Sequence, residues 1–184
     1  RNAAVSVSRN VIEVDLRGSE LKDAPVQRDG VLRGKKVYID LRQTADITDV
    51  APFRTQIQRT IGEKSTIGGS IVLKSEGDVV VGNNARLDVS GGSIQYTDGT
   101  VGKTYLAGAD GKLYDFMSAP KDIQYREVIT LADRVERGYS EGADAGSIQL
   151  WGGRVLSAGT LIGSTVQGEF QRASGDLPLG GLLR

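Results

Sequence analysis

The side chains with the greatest chemical potential in this sequence are acids set within alternating apolar runs. Asp15, Asp40, Asp78 and Asp88 each fall on a segment that reads as a strand. Carboxylates gathered on one groove can act as acid, base or nucleophile on a glycosidic bond, which makes polysaccharide cleavage the first enzymatic option. The same acids, spread singly along strand faces, would instead keep those strands soluble and discourage edge pairing. That plainer reading is preferred, so no catalytic residue is assigned. Asp110 and Asp115, or Glu141 and Asp144, are the nearest thing to a calcium set, but neither pair lies within a dense run of oxygen ligands, and Asp110-Gly111 and Asp144-Ala145-Gly146 read as turns. No metal or cofactor is expected. A second kind of chemistry, glycan binding, needs aromatic faces beside amides and acids. Trp151, Tyr105, Tyr114 and Tyr139, near Gln149, Asp115 and Glu141, form the candidate set. Tyrosines also pack against their own scaffold, burying the ring and leaving the hydroxyl wet, and this structural use competes with the binding one.

Other chemistries lose their equipment at once. The 184 residues contain no histidine and no cysteine, which removes the Ser-His-Asp triad, the imidazole base and the usual zinc ligands. Gly152-Gly153 and Gly180-Gly181 lack the Lys-Ser or Lys-Thr that completes a phosphate loop. With 23 basic and 23 acidic side chains the net charge is zero, so neither nucleic acid nor a membrane surface is the expected partner. No stretch approaches the about 18 to 20 apolar residues of a membrane span. Arg1 opens the sequence without a signal-peptide pattern, and the chain is read as a segment cut from something longer.

The elements that must position these residues are mainly β. Glycine, at 25 residues, is about twice as frequent as usual and implies many tight turns. Between the glycines lie 18 valines, 12 isoleucines and 11 threonines, the residues that suit a pleated surface. Ile12, Val14 and Leu16 alternate with acids, as do Val37, Ile39 and Leu41 with Tyr38 and Asp40. Val14-Asp15-Leu16-Arg17 is echoed by Ile39-Asp40-Leu41-Arg42, which fits either stacked turns of one coil or an antiparallel pair. Over 46–63 the pattern changes. Asp46, Thr48 or Asp49 could cap, Pro52 suits a first turn, and Phe53, Ile57 and Ile61 recur every four residues, which predicts one short amphipathic helix followed by a linker.

The strongest signal runs from Gly68 to Gly92. Strands are expected to begin near Ser70, Asp78, Arg86 and Ser93, with Gly77, Gly82, Asn83, Asn84, Gly91 and Gly92 at the corners. Gly-Ser-Ile occurs at Gly69, Gly92 and Gly146, and the 23 residues between the first two match one circuit of a coil. After Gly146 the cycle resumes through Ile148, Leu150, Val155 and Leu161. The expected fold is a right-handed parallel β-helix over 1–184 with Ile94 stacked on Ile71, and the alternative is a β-sandwich. An irregular or β insertion is expected over 97–141, holding most of the tyrosines. Its hairpin tips would be Thr97-Asp98-Gly99 and Ala109-Asp110-Gly111-Lys112, and Arg126 to Arg137 would be either helix or strand.

Three stretches carry a family likeness: SVSRNVIEVDLRGSELKDAPVQRDGVLRG from Ser6, GGSIVLKSEGDVVVGNNARLDVSGGSIQYTDG from Gly68, and GYSEGADAGSIQL from Gly138. They closely resemble the filamentous-haemagglutinin-like large exoproteins of Gram-negative bacteria, and most of all a domain of unknown function that recurs in them. The resemblance implies a non-enzymatic, structural and adhesive segment of a two-partner-secretion passenger. Such a passenger is exported through an outer-membrane transporter to the cell surface or medium and used in attachment, aggregation or biofilm formation. Asn-Pro motifs mark that family's export domain. None occurs here, so this segment is not expected to engage the transporter. The expected partners are a glycan or matrix ligand and, through exposed coil ends, other copies of the chain. A polysaccharide-cleaving β-helix enzyme and a purely mechanical spacer are the alternative functions.

Overall fold

A computed structural model describes residues 2–17, 19–21 and 23–184. Strands take up 40% of the chain and helices 15%, in several sheets none of which closes, so the protein is mainly β. It divides into two compact units. The first comprises Arg1–Val5, Arg59–Thr97 and Tyr139–Arg184, and the second Ser6–Gln58 and Asp98–Gly138. Residues 98–138, from the stretch expected to leave the main fold, fall in the second unit together with residues 6–58.

In the first unit three short strands follow one another, Ser70–Lys74, Val79–Val81 and Arg86–Asp88, at the positions the glycine and asparagine punctuation foretells. Three more follow the excursion in the same order: Ser147–Trp151, Val155–Ser157 and Thr160–Ile162. Each pairs with its counterpart parallel and in register, Ile148 on Ile71, Leu150 on Leu73, Val155 on Val79 and Leu161 on Leu87. The turns between them are tied as well, by Ser75 N–H to the Trp151 carbonyl (2.9 Å) and Gly153 N–H to the Gly77 carbonyl (2.7 Å). Leu182–Leu183 begins a third layer on Ser147 and Ile148. Like residues lie over like, so one apolar face runs through the layers while Val72, Lys74 and Val80 point outward. The close approach demands glycine at one corner. A Cβ on Gly146 would land on the carbonyl oxygen of Gly69, whose carbonyl accepts from Ser147 N–H.

The middle Gly-Ser-Ile copy behaves otherwise, and the expected stacking of Ile94 on Ile71 is overturned. Ser93–Thr97 lies in another sheet, between Asn2–Ser6 and Ser140–Gly142, and pairs with the latter antiparallel, Ile94 opposite Glu141. The returning strand claims that edge because the Tyr96 and Tyr139 rings stack beside it, with centroids 4.6 Å apart, and Tyr96 N–H donates to the Tyr139 carbonyl. The Gly-Ser-Ile copy that lies over Gly69-Ser70-Ile71 is therefore the one at Gly146 and not the one at Gly92.

The second unit is antiparallel. Gly99–Gly108 pairs with both Tyr125–Glu136 and Leu113–Asp115, and Val11–Asp15 pairs with Lys36–Asp40, Ile12 opposite Ile39 and Val14 opposite Val37. The echo of VDLR in IDLR is thus an antiparallel pair and not stacked turns. Residues 126–136 are strand, and 109–112 form the foreseen hairpin tip, whereas Thr97 to Gly99 links strands that do not pair. A core of Leu16, Leu21, Leu32, Val37, Ile39, Ile47, Leu106 and Phe116, each almost fully buried, fills the interior. Tyr38 N–H donates to the Thr104 hydroxyl (2.9 Å), and a Cβ on Gly102 would enter the Tyr38 ring.

The single helix expected over 46–63 is two separate turns, Ala51–Arg54 and Ile61–Lys64. A capping box explains the break. Thr60 N–H donates to the Glu63 carboxylate (2.6 Å) and Glu63 N–H to the Thr60 hydroxyl (3.2 Å), so the chain restarts at Thr60 and leaves Ile61 87% exposed.

Candidate functional site

The four aromatic candidates are divided between the units. Trp151 ends the Ser147–Trp151 strand with its ring 55% exposed. Side chains two apart share a strand face, so Gln149 lies on the same outward face, with Val72 and Lys74 opposite in register. This is an amphipathic outer ridge of the kind on which a sugar ring can lie. Tyr139, in the same unit, is buried, stacked on Tyr96 and met edge-on by Phe170 at 4.6 Å. Its ring is used in packing.

Tyr105 and Tyr114 belong to the second unit. They sit on neighbouring strands but on opposite faces of the sheet, since Tyr105 is opposite Asp115 and Tyr114 opposite Leu106. The Lys103 ammonium stands 5.3 Å from the Tyr105 ring centroid. The Tyr114 hydroxyl donates to Asp110 (2.7 Å), which holds that carboxyl below its ordinary range and pushes the phenol up. Trp151 and Tyr139, or Tyr105 and Tyr114, therefore do not build a shared platform.

The strand acids have a common explanation. Asp15 meets Arg17 at 2.7 Å, Asp40 meets Arg42 at 2.8 Å and Asp88 meets Arg86 at 2.9 Å. In each case the partner is two residues away, the spacing that puts both on one face of an extended chain. Arg86 and the hydroxyl and amide of Ser90 hold the Asp88 carboxyl down at about 2. For Asp40 burial opposes ionisation, but Arg42 and Gln43 outweigh it and its carboxyl stays below the usual range. Asp78 faces Arg154 across the parallel register at 3.4 Å. All four carboxylates are paired with arginines, and Asp40 and Asp88 are held in the ionised form, a state unsuited to donating a proton.

The proposed calcium ligands are likewise occupied. Asp115 holds Lys103 (2.6 Å) and accepts from Met117 N–H, while Asp144 accepts from Leu179 N–H. Among the described residues no group of three or more acids is placed to hold a metal ion.

Residue-by-residue reading of the sequence missed a cavity of about 630 Å³ in the second unit, between the 19–23 and 44–56 segments. Its wall is shaped by two contacts. Asp49 accepts from Ala51 N–H (2.9 Å) and starts the Ala51–Arg54 turn, and the Arg54 guanidinium reaches back to the carbonyls of Leu41 (2.7 Å) and Gln43 (3.0 Å). Ile47 and Val50 turn into the core, which anchors the loop from below. Glu20, Asp23, Asp46 and Asp49 line the opening. Thr48 also lines it, is 3% exposed, and carries the one buried side-chain polar atom among the described residues without a hydrogen-bond partner. Asp46, Thr48 and Asp49 do stand out in the sequence, but as helix caps. Only the fold brings them beside residues 19–23.

The chain matches no protein-family model, no curated protein and no solved structure.

Proposed function

We propose that this chain is a non-enzymatic, structural and adhesive segment of a secreted bacterial surface exoprotein of the filamentous-haemagglutinin-like kind. Its first unit is read as successive circuits of a right-handed parallel β-helix. The observation that carries the reading is the register of the layers, in which three consecutive strands and the turns between them lie over their counterparts in the same order. Repetition of that kind builds a shaft whose stability is shared between neighbouring circuits. The likeness of the stretches from Ser6, Gly68 and Gly138 to that family supports the same conclusion.

Attachment is assigned to the outward ridge of Trp151, Gln149 and Lys74, where an exposed indole lies beside an amide and a cation. The uncovered end of the stack, with Leu156, Leu182 and Leu183 exposed, is the surface through which copies would self-associate. Cleavage of polysaccharide is the weaker reading because Asp15, Asp40 and Asp88 are each held by an arginine.

An array of bacterial and host polysaccharides and matrix proteins, scored for retention and for new reducing ends, tests the proposal. Retention without cleavage, reduced at least about tenfold in Trp151→Ala, is the expected result. Release of reducing ends that Asp40→Asn or Asp88→Asn abolishes would establish the enzyme instead, and neither retention nor cleavage would leave a spacer.

A further inference from the structure

The sheet formed by Ser70–Lys74, Ser147–Trp151 and Leu182–Leu183 carries charge of one sign on its outward face. The third layer runs on through Arg184, whose N–H donates to the Ile148 carbonyl (3.0 Å) and whose carbonyl accepts from Leu150 N–H (2.9 Å). Arg184 therefore sits beside Gln149. Leu183 lies over the inward Ile148, so alternation turns Arg184 outward with Gln149, Trp151 and Lys74, and no outward position of the three strands is acidic. The other cations of these circuits are differently placed. Arg86 is matched by Asp88 at 2.9 Å and Arg154 by Asp78 at 3.4 Å. Lys74 and Arg184 have no acidic partner among the described residues, and Glu76, which follows Lys74 closely, lies in the turn beyond the strand without pairing to it. The two cations that hold nothing in the stack are thus the two nearest the exposed indole.

Resting on the reading of this ridge as the adhesive surface, we infer that its ligand is an anionic polysaccharide, one with a carboxylate or a sulfate on its repeating sugars. The Trp151 indole offers a face on which a sugar ring lies, and Gln149 an amide for hydroxyls. Lys74 and Arg184 stand two layers apart, roughly 10 Å at about 4.8 Å per layer. One acidic sugar meets one of them, whereas successive acidic sugars of an extended chain meet both. The arginine fork accepts either kind of anion through paired hydrogen bonds. A neutral glycan would leave both charges unused, and a cationic one would be repelled. An apolar protein surface would bury the two cations without partners for them.

Binding of the full chain to immobilised polygalacturonate, dextran sulfate and unmodified dextran, at one ionic strength, tests the inference and separates carboxylate from sulfate. At least one acidic polymer should bind about tenfold or more tighter than dextran, the tighter of the two naming the acid. Lys74→Gln and Arg184→Gln together should weaken that binding about tenfold, and Trp151→Ala by a similar factor. Arg86→Gln, which removes a cation already matched by Asp88 on another strand of the same stack, should change it less than about twofold. All four side chains are exposed, so an unchanged melting temperature shows that each variant is folded. A polymer drawn to any surface cation would respond to Arg86→Gln as to Lys74→Gln and would not need the indole, and that result overturns the inference. Binding to dextran as tight as to the acidic polymers, lost in Trp151→Ala, also overturns it while leaving the adhesive reading in place. Binding to neither acidic polymer overturns it too, and the wider array of polysaccharides and matrix proteins then decides the adhesive reading separately.

Discussion

The two units reach stability by different routes from the same residue types. In the first, short strands bury few large side chains, Val79, Val81, Val89 and Ile148 among them, and depend on hydrogen bonds between layers whose closeness glycine permits. In the second, long antiparallel strands enclose a dense apolar cluster around Phe116 and Leu106, neither of which has any exposed surface. A stack of parallel strand pairs is thus vulnerable where backbones meet, and a packed core where side chains meet. The largest expected effect tests this directly. Gly146→Val places side-chain atoms where the Gly69 carbonyl stands, so it should cost more than about 4 kcal/mol in the first unit and remove the exchange protection of the Ser75 and Leu150 amides. Wild-type protection of those amides in the variant would mean that the layers are not held as described.

The second unit should answer to cavity formation. Phe116→Ala removes a ring with no exposed surface and should cost about 3 to 5 kcal/mol, measured by urea unfolding followed through amide signals of Gly99–Gly108. A loss below 1 kcal/mol, on the order of a surface substitution, would show that this core is loosely filled.

The same contrast explains which parts of the structure were legible in the sequence. Strand starts near Ser70, Val79, Arg86 and Ser93 were readable because turn residues punctuate them and apolar residues alternate between. Which strand lies on which was not. Gly92-Ser93-Ile94 and Gly146-Ser147-Ile148 are the same triplet, yet only the second stacks on Ile71, and what separates them is a pair of tyrosines, Tyr96 and Tyr139, that meet across an excursion. In the second unit the echo of VDLR in IDLR had a local cause, an aspartate and an arginine on one strand face, which a repeat imitates. Trp151 stands out in the sequence by type alone, and only the fold shows that it is exposed beside Lys74. The acidic cavity was not found because its walls come from segments that neither pattern nor charge links before the chain folds.

Each unit also holds a phenol in place by burial, which gives both an alkaline limit. Tyr96 in the first is raised well above the ordinary phenol range by burial and by Glu141, and Tyr125 in the second is pushed up to about 12 by burial, its hydroxyl donating to the Pro120 carbonyl. A raised folded value means that the unfolded chain ionises first. The contribution of Tyr125 is therefore complete below pH 10 and disappears as the pH climbs through 12, and that of Tyr96 persists to higher pH still. Tyr125→Phe should lose about 1 kcal/mol at neutral pH and, in exchange, lose part of the decline between pH 10 and 12, as followed by unfolding at several pH values. An unchanged alkaline slope would show that Tyr125 ionises at the same pH in the folded and unfolded chain.

The smallest effects come from the ion pairs along the strands, where burial decides the outcome. Arg42 bridges Asp40 and Glu136 in the second unit, with the Asp40 side chain only 13% exposed, whereas Arg86 and Asp88 in the first stand at 67% and 38%. Removing Arg42 leaves two half-buried carboxylates without their cation. Arg42→Ala should therefore cost about 1 to 2 kcal/mol and raise the Asp40 titration midpoint. Removing Arg86 leaves Asp88 facing water with Ser90 still donating to it. Arg86→Ala should leave neutral-pH stability close to that of the parent, because water screens the exposed pair. Because Asp88 is depressed in the folded state, its contribution is present above pH 3.8 and vanishes as the pH falls through about 2, so the small difference between the Arg86 variant and the parent should disappear across that acid window. Carboxyl NMR titration reads both midpoints in one experiment. If Asp88 moved as far in Arg86→Ala as Asp40 does in Arg42→Ala, exposure would not be what separates the two pairs, and the contrast between an open stacked surface and an enclosed one would fail at its most accessible point.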